Sequence, residues 1–161
     1  MLISKDHPDF HNYRPNVGVV VLNAENKVFV AQRIDTLEEA WQLPQGGIDE
    51  GENVLNAGLR ELYEETSIRS VTFEKYIPSD DQWLYYNLPE DLQKKMWGGG
   101  FKGQRQKWIV CRFTGHDSEI NLKTEHPEFS VWKWINIKNL PELAIHFKFN
   151  IYKYISKEIK G

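Results

Sequence analysis

The segment Gly46-Gly47-Ile48-Asp49-Glu50-Gly51-Glu52, continued by Asn53 to Thr66, constrains this chain more than any other stretch. Its glycines, with Pro44 just before them, break regular structure, so residues 33–51 are predicted to be loop. From Asn53 to Thr66 the pattern turns helical: Val54, Leu55, Leu59 and Leu62 recur on one side. Glu61, Glu64 and Glu65 stand at i, i+3 and i+4, which places three carboxylates on one face and the apolar stripe on the other. A helix of this kind needs a layer to cover its stripe and something to relieve the repulsion between its acids. Mg²⁺ would do the second, since it prefers oxygen ligands and usually binds substrate phosphates as well. Taken alone, the three glutamates fit a solvent-facing acidic helix better. Arg60 can fork to a carboxylate such as Glu52 and fix the loop against the helix. Gly46 and Gly47 would let the backbone approach closely and adopt unusual φ/ψ.

The covering layer is legible elsewhere. Val17 to Leu22 is an apolar run fit for a buried strand, and Asn23-Ala24-Glu25-Asn26 turns it into a second strand over Lys27–Gln32. Lys107–Phe113 and Phe129–Ile135 alternate as strands, and Pro89 to Met96 suits a short helix. Phe147, Ile151, Ile155 and Ile159 step by four along a terminal amphipathic helix. Strands and helices in mixed order over 161 residues predict one α/β domain layered around a single sheet. With 40% apolar and 13% aromatic residues, disorder is excluded. No apolar run approaches the ~18 residues of a membrane span, and the N-terminus lacks a secretory apolar core. The single cysteine, Cys111, reads as a buried strand residue and excludes an internal disulfide framework. The expected compartment is therefore the cytoplasm.

The net charge of −3 argues against a chain-wide basic nucleic-acid binder. Its distribution says more: residues 46–68 sum to −5, whereas residues 92–116 carry Lys94, Lys95, Lys102, Arg105, Lys107 and Arg112 for +6. That pairing suits a bound cation beside a polyanion, although charge runs are also ordinary solvated faces. Gly98-Gly99-Gly100-Phe101-Lys102-Gly103 fits G-x-G-x-x-G formally, but without a strand before and a helix after it a basic loop is the better reading. The five histidines have no zinc-ligand spacing. Trp97, Trp108, Trp132 and Trp134 suit core or rim, with one available to shape a site.

The complete spacing is G-x5-E-x7-R-E-U-x-E-E-x-G-U, with U aliphatic, matched at Gly46, Glu52, Arg60, Glu61, Leu62, Glu64, Glu65 and Ile68. A chance match of these eight is on the order of 10⁻⁶. This is the box of the Nudix hydrolases, which the chain resembles; Ser67 stands where the box has glycine. The resemblance runs from residue 12 to 155, leaving 1–11 as an N-terminal extension and 156–161 as a helix end. Tyr13-Arg14-Pro15-Asn16-Val17-Gly18, Trp41-Gln42-Leu43-Pro44-Gln45-Gly46-Gly47-Ile48, Gly103-Gln104-Arg105-Gln106-Lys107-Trp108 and Pro127-Glu128-Phe129 resemble the bacterial RNA 5′-pyrophosphohydrolases within that family, a group that includes dinucleoside polyphosphate hydrolases. The segment 34–40, between Arg33 and Trp41, resembles either branch.

That resemblance implies an α/β/α sandwich around a mixed sheet and the removal of pyrophosphate from 5′-triphosphorylated RNA. The alternatives are hydrolysis of dinucleoside polyphosphates such as Ap4A and a catalytically silent binding module. By position it implies Glu61, Glu64, Glu65 and Glu128, with Gly46, as holders of Mg²⁺, Mn²⁺ or another divalent ion. It further implies Glu65, then Glu61, as the base, supported by Arg60. Arg14, Arg33, Gln45, Lys107 and Lys148 are expected at the substrate, with Phe147 stacking on a nucleobase. A monomer acting on the first few nucleotides of an RNA end, with no membrane partner, completes the expectation.

Overall fold

Tyr13–Leu22 is long, β-branched and flanked by partners on both sides, and the remaining elements are arranged about it. The computed structural model describes residues 1–35 and 40–159. In chain order these form β1 (Leu2–Ile3), β2 (Tyr13–Leu22), β3 (Lys27–Arg33), β4 (Trp41–Gln42), β5 (Gln45–Gly47), α1 (Val54–Thr66), β6 (Val71–Ile77), β7 (Trp83–Asn87), α2 (Glu90–Lys95), β8 (Gly103–Phe113), β9 (Phe129–Asn136), α3 (Leu140–Leu143) and α4 (Phe149–Ile159). The sheet runs β1-β7-β8-β2-β3-β4, with β5 added to β2, β6 to β8 and β9 to β3. β2 and β8 are parallel from Tyr13↔Gly103 to Leu22↔Arg112. The β2–β3 hairpin is antiparallel, so the sheet is mixed.

Alternation along β2 sorts the core into two layers. Val17, Val19 and Val21 pack with Ala57 and Leu62 of α1, whereas Val20 and Leu22 pack with Ile151, Tyr152 and Ile155 of α4. All five β2 residues are essentially unexposed, as expected of a strand covered on both faces. Each such side chain contributes roughly 1.5–3 kcal/mol of burial. The result is the expected α/β/α sandwich. Among the described residues no helix is long and apolar enough to cross a membrane.

Four expectations need correction. Residues 33–51 are not all loop, because Gln45–Gly47 pairs with Asn16–Gly18. Gly46 and Gly47 read as breakers by propensity, yet lacking side chains they fit an edge where a tertiary neighbour comes close. β8 starts at Gly103 rather than Lys107. Phe147 lies in a 3₁₀ turn, His146–Lys148, ahead of α4 rather than in the helix. The +6 stretch does not stand as one block facing a polyanion, since strand geometry scatters it. Arg105 donates to the Phe10 and Tyr13 carbonyls, Arg112 bonds Glu74 and the Asn23 carbonyl, and Lys102 pairs with Asp9 at 3.5 Å. Segment 34–40, which bears on substrate choice, lies partly outside the described residues.

Candidate active site

Asn53 starts α1 by accepting the Asn56 N–H on its side-chain oxygen at 2.8 Å. Ser67 ends it at φ 66°, its N–H bonded to the Tyr63 carbonyl. Serine there costs roughly 1 kcal/mol relative to glycine, partly offset by its hydroxyl donating to the Asn121 carbonyl at 2.9 Å. Between these caps the three glutamates share a face, as the spacing predicts, and line one cavity, but they differ in burial. At about 100° per residue, Glu65 is rotated from Glu61 toward Leu62 and the core, and Glu64 the opposite way. Glu65 is accordingly 3% exposed, while the Glu64 side chain is 55% exposed.

Arg60 organises the loop. Nε and Nη2 fork to the two Glu52 oxygens at 2.8 and 2.9 Å, as the sequence spacing implied. Nη2 also reaches the Gly47 carbonyl at 3.1 Å, and Nη1 donates to Glu61 at 2.9 Å and Glu64 at 3.3 Å. The guanidinium holds the Glu52 carboxyl down at about 2. Arg60 thus joins loop to helix and places Glu61. Gly46 completes that placement by proximity. Its φ is not left-handed, and a Cβ there would fall inside the Glu61 carboxylate. Gly46→Ala is therefore expected to lower kcat at least tenfold, since displacing a reacting group by ~1 Å costs on the order of 100-fold. Steady-state kinetics beside a thermal melt would check that the loss exceeds any loss of folded protein.

Burial, and then the neighbouring Glu128 and Glu61 carboxylates, push the Glu65 carboxyl well up; the Gln45 N–H donates to it and opposes the shift. Burial likewise raises Glu61, against the pull of Arg60. Glu65 Oε2 is buried without a hydrogen-bond partner among the described residues. An unsatisfied buried carboxylate oxygen beside a second carboxylate is a donor set suited to a hard divalent cation. Among the described residues no three acids or histidines are already gathered on one point, because Glu61 and Glu64 are drawn back to Arg60. Glu61 Oε2 and Glu64 Oε1 are not bonded to Arg60, so a cation could be held without breaking those bonds. A cavity of about 400 Å³, lined by Glu61, Glu64, Glu65, Glu128 and His126, adjoins these carboxylates.

A second cavity of about 430 Å³ is lined by Arg33, Gln45, Trp41, Tyr86, Trp97, Phe147 and Lys148. Phe147 stacks on Tyr86 with centroids 5.6 Å apart. Burial, together with Arg33, brings the Lys148 ammonium down to about 8. Arg33 is at the mouth, but its guanidinium is forked to Asp35 at 2.7 and 2.8 Å, with Glu128 3.9 Å away. Arg14 donates to Gln104 at 3.2 Å. Lys107 is not brought to the site: it bonds the Asp80 and Gln82 carbonyls. Neighbours on β8 face opposite ways, so Gln104 and Gln106 turn toward the site instead. Gln106 bridges Asn16 and Gln45, both at 2.9 Å. Neither glutamine was singled out from sequence, although strand alternation from Gly103 would have paired them. His126 was likewise set aside for want of ligand spacing.

The NUDIX domain family model matches residues 12–155. An RNA pyrophosphohydrolase of Pelagibacter ubique is 50% identical over 147 residues, 91% of each chain. Another, of Rhodospirillum rubrum, is 46% identical over 149 residues, 92% of this chain and 88% of that one. Among solved structures, the E. coli dihydroneopterin triphosphate pyrophosphohydrolase aligns with TM-score 0.70 at 19% identity, over 92% of this chain and 97% of its own. A C. elegans Ap4A hydrolase aligns with TM-score 0.62 at 18% identity, over 91% and 98%. At those identities the likeness to both structures is one of fold.

Proposed function

This chain belongs to the NUDIX family, and on that premise we propose that it hydrolyses the 5′-triphosphate end of RNA, releasing pyrophosphate, leaving a 5′-monophosphate and so promoting RNA decay. The observation that carries the reading is the link between two unlike cavities, one lined by Glu65 and other carboxylates and one lined by Gln45 with aromatic and basic groups, through the Gln45 N–H bonded to the Glu65 carboxyl. A polyphosphate with a nucleobase at one end needs both.

The reaction is substitution at phosphorus by water: a water oxygen bonds to phosphorus as the anhydride bond to pyrophosphate breaks. A divalent cation, Mg²⁺ first and Mn²⁺ as a substitute, held by Glu61, Glu64, Glu65 and Glu128 beside the Gly46 backbone, would neutralise phosphate oxygens and acidify water. Glu65 takes the proton from water, with Glu61 as second choice, because the Glu65 carboxyl is buried with one oxygen lacking a hydrogen-bond partner among the described residues. Arg60 keeps Glu61 in place. Arg14 and Lys148 offer cations to the substrate phosphates. Arg33 can join them by leaving Asp35. Phe147 gives the nucleobase a surface, and Gln45 holds the edge between the two cavities. We place this activity in the cytoplasm, in a monomer, consistent with one buried unpaired cysteine.

Parallel kinetics on 5′-triphosphorylated RNA and Ap4A with Mg²⁺ test the proposal. A kcat/KM clearly higher on RNA is the expected result. Preference for Ap4A would move the enzyme to the dinucleoside branch, and inactivity on both would make it a binding module.

A further inference from the structure

We propose that Trp97 is a positioning residue, whose indole face holds the Arg14 guanidinium beside Gln104 and Gly47, where it can meet substrate phosphate. The proposal rests on the reading that Arg14 contacts substrate phosphate. Three groups set Arg14. Its Cζ lies 5.1 Å from the centroid of the Trp97 ring. Its Nη1 donates to Gln104 Oε1, and Gln104 is itself anchored by donating to the Tyr86 hydroxyl at 2.6 Å. Its Nη2 lies over Gly47, where a Cβ would collide with it.

These partners are all uncharged. Arg60, Arg33 and Arg112 each pair with a carboxylate. Among the described residues no carboxylate stands within salt-bridge distance of Arg14. An amide oxygen and an aromatic face orient a guanidinium without neutralising it, so its charge stays available to an incoming anion. The chain adopts an uncommon backbone to put the indole there. Trp97 has φ 50° and is followed by Gly98 at 72° and Gly99 at 77°. Three left-handed residues in succession reverse the chain after α2, and the two that follow Trp97 are glycines. A bulky residue at positive φ is rare, and such residues persist where the surroundings hold them, often at functional sites. Trp97 lines the aromatic cavity and meets Phe101 edge-on at 6.2 Å.

The test is steady-state kinetics on 5′-triphosphorylated RNA for Trp97→Ala, Trp97→Leu, Trp97→Phe, Arg14→Ala and the Arg14→Ala/Trp97→Ala double variant. Leucine keeps apolar bulk without a π face, so it serves even if alanine impairs folding. Trp97→Ala and Trp97→Leu are expected to raise KM about fivefold, with kcat within about twofold. Trp97→Phe should restore most of that loss, and Trp97→Ala should add nothing once Arg14 is gone. Phenylalanine acting like leucine, or independent effects multiplying in the double variant, would overturn the proposal. If Arg14→Ala raises KM and Trp97→Leu does not, this inference alone fails. An unchanged KM for Arg14→Ala would remove the phosphate reading of Arg14 beneath it.

Discussion

Chelating divalent cations with EDTA is expected to abolish turnover on 5′-triphosphorylated RNA, and excess Mg²⁺ is expected to restore it. The site's own charges require this before any chemistry. Glu61, Glu64, Glu65 and Glu128 surround one cavity, and the nearest cations are already engaged. Arg60 bonds Glu52, Glu61 and Glu64, and Arg33 bonds Asp35. Two like unit charges 4 Å apart repel by about 4 kcal/mol at the effective dielectric of a protein surface. A triphosphate entering beside four carboxylates would meet several such terms, more than Arg14 and Lys148 offset. A thermal melt supplies a readout independent of activity. Ligand at 100 times its Kd stabilises the native state by about 2.7 kcal/mol, worth roughly 5–10 °C in Tm for a chain of this size. Full turnover in EDTA, or a melt unmoved by Mg²⁺, would reject the metal assignment.

Much of the fold was legible because its strongest signals are local periodicities. Val17 to Leu22 reads as a doubly covered strand from composition alone, and its even and odd residues do pack on opposite layers. Elements whose reason is tertiary were less visible. β6 is an edge strand with Thr72, Phe73, Glu74 and Lys75 all exposed, so it lacks the alternating apolar signature. β5 consists of a glutamine and two glycines, and becomes a strand because β2 offers a partner and Glu61 demands a neighbour without a side chain.

The site divides along the same line. The Arg60 fork to Glu52 follows from spacing along loop and helix, and it is present. Lys107 resisted the same reasoning because its face is set by how β8 pairs with β2, not by alternation alone. One position of register exchanges Lys107 for Gln106 on the site face. Glu65 shows the limit of helical geometry most clearly. Spacing grouped it with Glu61 and Glu64, but where the core begins is decided by how α1 seats on β2 and β8. Gly58 lets that seating be close, since a Cβ there would press on Ile109 at 2.6 Å.

That burial makes Glu65→Gln the sharpest mutational test. The variant is expected to lose at least ~100-fold in kcat, the range for a missing general base, while folding as well as the parent. Glutamine has the shape of glutamate, so the packing beside Leu62 and Thr66 is retained. Its amide oxygen can still accept the Gln45 N–H, and its NH₂ can donate toward Glu128, where two carboxylates now face each other. Removing that repulsion and a desolvated charge should leave Tm unchanged or raised. The kinetic loss has two sources acting together: an amide cannot take a proton from water, and as a neutral ligand it weakens the grip on a divalent cation. Raising Mg²⁺ separates them, since saturation repairs weak binding but not a missing base. If kcat returns to near the parental value at high Mg²⁺, Glu65 is a ligand only and Glu61 becomes the base. A persistent deficit of ~100-fold with an unimpaired melt assigns the proton to Glu65.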